Sequence, residues 1–181
     1  MSDELSPEDG RYLLGLARRA IENHLAGKGP LRERSPDPRL RVERGAFVTL
    51  HVDGELRGCI GYPLPVKPLD ETITEMAVAA ASQDFRFSPL KAKELDRLKI
   101  EVSVLSLPRP VGDPSEVEVG RDGIIVSKGF NRGLLLPQVP VEQCWDRETY
   151  LRHGCIKAGL RPDEWRKGAG IEVFTAQVFS E

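Results

Sequence analysis

The dipeptide Asp53-Gly54 lies between two runs, AFVTLHV (46–52) and ELRGCIG (55–61), in which apolar residues recur at every second position over most of their length. Aspartate followed by glycine accepts the positive φ angles of a two-residue turn, and a period of two marks a strand with one buried face. The stretch predicts an antiparallel hairpin that pairs residues 46–52 with 55–60. A two-residue loop sets Val52 opposite Glu55, Leu50 opposite Arg57 and Val48 opposite Cys59, which puts the cysteine on the aliphatic face. Gly58 and Gly61 weaken a strand and are explained if some group must approach the backbone there.

Two readings of Cys59 stay open at this level. A buried thiol packs as a small apolar group and stays protonated. A nucleophilic or ligating thiolate needs a neighbouring base or a positive field.

The rest of the chain mixes helices with short strands. Ser6 and Pro7 open a helix over Ser6–Ala26, with Glu8 and Asp9 at its positive end and Leu13, Ala17, Ala20, Ile21 and Leu25 at helical spacing. Residues 28–45 carry six basic residues among Pro30, Pro36 and Pro38, which predicts an extended, solvated connector. PLDETITEMAVAAASQD (68–84) reads as a second helix with an Ala-rich face, followed by the polar and aromatic loop DFRFSPL (84–90). LKIEVSVLSLP (98–108) alternates as a strand until its proline. Residues 116–140 give two or three short strands broken at Gly120, Gly123 and Gly129. WDRETYLRHGCIKAGL (145–160) predicts a helix capped by Asp146 and ended by Gly159, and IEVFTAQVF (171–179) predicts one closing strand. Without regular β-α-β alternation, the expected class is α+β, with mixed, mainly antiparallel sheets and flanking helices.

Length and charge exclude several functions. A chain of 181 residues suits one compact domain. A formal net charge of −2 argues against a protein held on nucleic acid by bulk electrostatics. The acidic N-terminus and the lack of a long apolar run predict no secretory signal and no membrane span, hence a cytoplasmic protein. Cys59, Cys144 and Cys155 are few and far apart, so free thiols are expected. Phosphate-loop, dinucleotide-binding, serine-hydrolase and zinc-protease motifs are all missing. His153 and Cys155 stand two apart on a predicted helix and do not share a face, and His24 has no visible partner, so no metal centre and no resident cofactor are expected.

GAFVTL, LRGCIG, DFRFSPL, LKIEVSVLS, GLLLPQV and WDRETYL with CIKAGL, in that order over nearly the whole chain, closely resemble the AMMECR family, protein A of the AmmeMemoRadiSam system. The resemblance implies a two-lobed α+β fold, with a larger lobe using both chain ends, a smaller lobe from the middle and a cleft between them. It implies no assigned reaction. It suggests a part in a modification pathway shared with Memo-type and radical S-adenosylmethionine (radical SAM) proteins. Arg57, Gly58, Cys59 and Gly61 match the signature, Asp84, Arg86 and Phe87 match the polar loop, and Pro137 with Gln138 match the strand-end segment. Gln138 stands where some members carry an acidic residue, which removes a possible general base. Cys155 and His51 do not belong to the family signature.

Two functions from different classes follow. In one, Cys59 is a nucleophile or thiol ligand, Arg57 and Arg86 bind an anionic group by their forked donors, and Asp84 orients one of them. Gly58, Gly61 and Gln138 complete the expected binding set. In the other, the domain is a noncatalytic adaptor or small-ligand binder, in which the arginines meet acidic groups and Cys59 packs beneath them.

Overall fold

The structure, a computed structural model, describes residues 4–181. Helix α1 (Pro7–Leu25) starts from a reciprocal cap, in which Asp9 N–H donates to Ser6 Oγ at 3.1 Å and Ser6 N–H donates to Asp9 Oδ2 at 2.8 Å. Leu13, Leu16, Ala17, Ala20 and Ile21 form its buried stripe.

The expected hairpin forms from β1 (Ala46–Val52) and β2 (Glu55–Tyr62), with Asp53 and Gly54 at φ of 54° and 80° in the turn. Its register corrects the expectation. His51 faces Leu56 and Leu50 faces Gly58, so Arg57 is an extra, unpaired residue, and Thr49 rather than Val48 stands opposite Cys59. A bulge of one residue reverses every side chain beyond it. Cys59 therefore leaves the aliphatic face, and Gly58 takes the side toward the helices.

Helix α2 (Leu69–Ser82) packs on that side, with Ile73, Met76, Ala77 and Ala80 buried. A Cβ on Gly58 would lie 2.1 Å from the Ala80 carbonyl oxygen, and one on Gly61 would lie 2.4 Å from Ala46 O and from the Phe47 ring. The groups that approach these glycines are thus other parts of the chain itself, the α2 backbone at Gly58 and strand β1 at Gly61. Strand β3 (Leu98–Leu105) pairs antiparallel with β1, which makes β1 central and leaves β2 at the sheet edge.

The basic connector is pinned rather than simply solvated. Asp70, fully buried on α2, accepts from Ser35 N–H at 2.9 Å and Arg34 Nε at 3.0 Å, while Arg39 pairs with Asp37 and Asp9. A buried carboxylate demands such donors, and the neighbouring connector supplies them. Arg44 is itself buried and donates to Leu105 O at 3.1 Å.

The middle of the chain forms a second sheet from β4 (Arg109–Pro110), β5 (Gly123–Lys128), β6 (Asn131–Leu135) and, beyond two helices, β7 (Gly170–Phe174), in the order β4-β7-β5-β6. Gly123 opens β5 instead of breaking a strand, and 117–119 form none. The two helices are the short α3 (Gln138–Glu142) and α4 (Arg147–Lys157), the latter capped by Asp146, whose side chain accepts from Thr149 N–H at 2.8 Å. Tyr150, Leu151 and Cys155 of α4 join Ile124, Val126 and Val173 in a second core.

The expected single closing strand is two. Thr175 interrupts it, giving its N–H to Ser106 Oγ at 2.9 Å and its carbonyl to Ser106 N–H at 2.8 Å, and β8 (Ala176–Ser180) then joins the first sheet beside β3. The first compact unit comprises the chain up to Leu105 with Gln177–Glu181; the second comprises Ser106–Ala176. The class is α+β with two antiparallel sheets. Among the described residues no helix is long and apolar enough to cross a membrane.

Candidate functional site

An edge strand presents backbone donors and acceptors with no neighbouring strand to satisfy them. At Cys59 of β2 the missing partner is a carboxylate. Cys59 N–H donates to Asp84 Oδ2 at 2.9 Å. Asp84 follows α2 directly, at the head of a loop held by Phe87 N–H on Asp84 O (3.0 Å) and by buried Leu90, whose N–H donates to Ala81 O at 2.7 Å.

The same carboxylate binds Arg86. Arg86 Nε donates to Asp84 Oδ1 at 3.0 Å and Nη2 to Oδ2 at 2.7 Å, the two-pronged geometry in which arginine binds carboxylates most strongly. The Asp84 side chain is 3% exposed and that of Arg86 46%. The Arg86 guanidinium, helped by the amides of Cys59 and Arg86, holds the Asp84 carboxyl far below the usual carboxylate range, against burial, which alone would raise it. Asp84 is consequently a permanent anion at neutral pH and a feeble base; it positions Arg86 and the Cys59 backbone. Asp84 chiefly raises the Arg86 pKa above its ordinary value, against burial, which alone would lower it.

The sulfur is hydrogen-bonded to Thr49, whose Oγ1 lies 3.2 Å from Cys59 Sγ. Cys59 is half-buried, Cys144 exposed and Cys155 buried, and all three are free thiols. Burial pushes the Cys155 thiol up.

Arg57 occupies the bulge and points to a different partner. Its Nε donates to Glu94 Oε1 at 3.0 Å, and its Nη1 to Ser88 O at 2.7 Å. Arg57, foremost, and the Lys91 N–H lower the Glu94 pKa. Arg57 thus ties the bulge to the loop that carries Asp84 and Arg86. Arg57 and Arg86 both line an open basin of about 500 Å³, together with Phe87, Lys91, Lys93 and Arg97. Glu94 is the one carboxylate among its lining residues.

The first unit therefore brings together Cys59, Asp84 and Arg86, with Arg57 behind them and Gly58 and Gly61 serving close packing. Gln138 belongs to the second unit, exposed on the first turn of α3 with no hydrogen bond from its side chain. Thr49, Lys91, Lys93 and Glu94 were not legible as site residues. Thr49 meets the sulfur only because of the bulge. The Lys91-to-Glu94 spacing is that of a cap in which Glu94 accepts from Lys91 N–H, the one local signal that could have placed Glu94 here.

Residues 14–179 match the family profile described as AMMECR1. This chain belongs to the AMMECR1 family. Protein MK0488 of Methanopyrus kandleri is 49% identical over 191 residues, covering 100% of this chain and 92% of its own. Protein MJ0810 of Methanocaldococcus jannaschii is 48% identical over 186 residues, covering 98% and 92%. A crystal structure of the uncharacterized protein PH0010 from Pyrococcus horikoshii superposes with a TM-score of 0.78 at 45% identity, over 95% of this chain and 91% of that one. The AMMECR1 profile spans both compact units, including the hairpin, the Asp84 loop and α4.

Among the described residues of this AMMECR1-family chain, no group of three or more His, Cys, Asp and Glu side chains is placed to hold a metal ion. The chemistry that the site's own groups offer is that of a thiol-bearing residue whose backbone amide shares the Asp84 carboxylate with a half-exposed guanidinium.

Proposed function

We propose that this protein contributes a thiol-centred, anion-accepting site to a cytoplasmic modification pathway shared with Memo-type and radical SAM proteins. The pathway follows from the family resemblance; the chemistry follows from the site. The observation that carries it is the shared carboxylate of Asp84, which holds the Cys59 backbone at 2.9 Å and the Arg86 guanidinium at 2.7 Å. One buried anion thereby sets a cation and a thiol in fixed relation, with the cation's outer face open to an acidic group on a ligand. In this reading Cys59 acts on the ligand, Arg86 binds its anionic group and Asp84 is a positioning residue.

The noncatalytic reading, an adaptor or small-ligand-binding domain, draws on a different observation. Asp84 is too weak a base to deprotonate the thiol, and the side chain hydrogen-bonded to the sulfur is the hydroxyl of Thr49, which is no base at neutral pH.

Alkylation by iodoacetamide at neutral pH separates the two. The first reading expects Cys59 to react faster than Cys144 and Cys155, and Arg86→Ala to slow it, because the guanidinium's charge meets the developing thiolate. Reaction at Cys59 no faster than at Cys144 or Cys155 overturns that reading, as does a folded Cys59→Ala protein with full pathway activity.

A further inference from the structure

The basin that shares Arg86 with the Cys59 site has a definite charge balance. Three of its cations are already neutralised: Arg57 by Glu94, Arg86 by Asp84 and Arg97 by Asp53. Lys91 and Lys93 are exposed and have no hydrogen-bond or ion-pair partner from their side chains among the described residues. Asp96 lies on the short 3-10 helix Ala92–Arg97 that also carries Lys93, but it does not line the basin. Two ammonium charges are thus left over, on a rim whose other cations are held in place by carboxylates.

We propose that this basin binds a phosphoryl group, as inorganic phosphate or a phosphate monoester. A phosphate monoester carries between about −1.5 and −2 at neutral pH and three acceptor oxygens, matching two ammonium groups, whereas a carboxylate carries a single charge and two oxygens. Arg86 adds a directional donor, because Nε and Nη2 are spent on Asp84 while Nη1 makes no hydrogen bond and the side chain is 46% exposed. Phe87 also lines the basin, with the Arg86 guanidinium 5.3 Å from its ring centre. It offers the organic part of an ester an apolar wall that free phosphate would not use. The inference rests on the reading above in taking Arg86 as the anchor common to both sites, and it names the ligand's anionic group as phosphoryl.

The test is an amide-shift titration of 15N-labelled protein, both wild type and Cys59→Ala, with inorganic phosphate, phenyl phosphate and acetate. Phosphate and phenyl phosphate should move the amides of Arg86 and of residues 91–97 in both proteins, with dissociation constants of about a millimolar or tighter, and Lys91→Gln/Lys93→Gln should weaken binding about tenfold. Tighter binding of phenyl phosphate than of phosphate supports an esterified ligand; equal binding supports free phosphate. Acetate matching phosphate, shifts outside the basin, or an undiminished affinity in the double lysine variant would overturn the proposal. Because Cys59→Ala lacks the thiol, phosphate binding there upholds the phosphoryl site even if alkylation refutes the thiol reading, and the reverse combination refutes only the phosphoryl site.

Discussion

The backbone N–H of Cys59 donates across 2.9 Å to Oδ2 of Asp84, a residue 25 positions later in the chain. The bond does two things with one carboxylate. It blocks a donor on the edge of β2, where an unpaired amide invites another strand. It also draws the loop after α2 against the edge, so that Arg86 arrives beside the thiol already paired.

Asp84→Asn keeps the shape and removes the charge, and should cost about 1 to 3 kcal/mol at neutral pH, since hydrogen bonds to charged groups are the stronger kind. The folded carboxyl lies below its unfolded value of about 3.9, so its stabilisation is complete above that pH and is lost as pH falls beneath it. Urea unfolding should therefore show a gap between wild type and variant that is constant from neutrality to about pH 5 and narrows below about pH 4. A gap unchanged down to about pH 3 would mean that charge is not its source.

Gly58→Ala places a Cβ 2.1 Å from Ala80 O, a backbone atom of α2 that can retreat only if the helix lifts from the sheet. The expected loss is about 3 kcal/mol or more, at the upper end for an overpacked core. A shift in denaturation midpoint equivalent to less than about 1 kcal/mol would contradict so close a helix-to-strand contact.

Arg57→Lys retains the charge but not the fork that reaches Glu94 and Ser88 O together. Amide hydrogen exchange at Phe87 and Lys91 should quicken about tenfold as the loop loosens, corresponding to about 1.4 kcal/mol of local stability. Unchanged exchange would show that Arg57 does not anchor the loop.

Cys59→Ser should cost less than about 1 kcal/mol, because Cys59 is only half-buried and the Thr49 hydroxyl, 3.2 Å from the sulfur, can donate to a serine oxygen instead. Placement on the aliphatic face would have raised the cost to about 1 to 3 kcal/mol. Thermal unfolding distinguishes the two values.

What the sequence determined by itself is what depends on near neighbours in the chain. Ser6 with Asp9 writes the start of α1, Asp53-Gly54 the hairpin turn, and Asp146 with Thr149 the start of α4, each through a turn or cap that closes within a few residues. The α+β class follows from the order of those elements, and Cys59, Asp84 and Arg86 were legible as a set from the motifs that carry them. The bulge at Arg57 was not legible, because pairing 46–52 with 55–60 without a slip satisfies the same turn and nearly the same alternation. Only the tertiary structure decided it. Docking of α2 brings Ala80 O to a point where no side chain fits, and of the residues near that point Gly58 alone, lacking a Cβ, can face the helix; Cys59 is thereby turned to the opposite side, toward Thr49. The partners of Arg57 and Asp70 likewise come from 37 and 35 residues away, a separation at which local propensity is silent and the desolvation of charge in the folded chain chooses the contact.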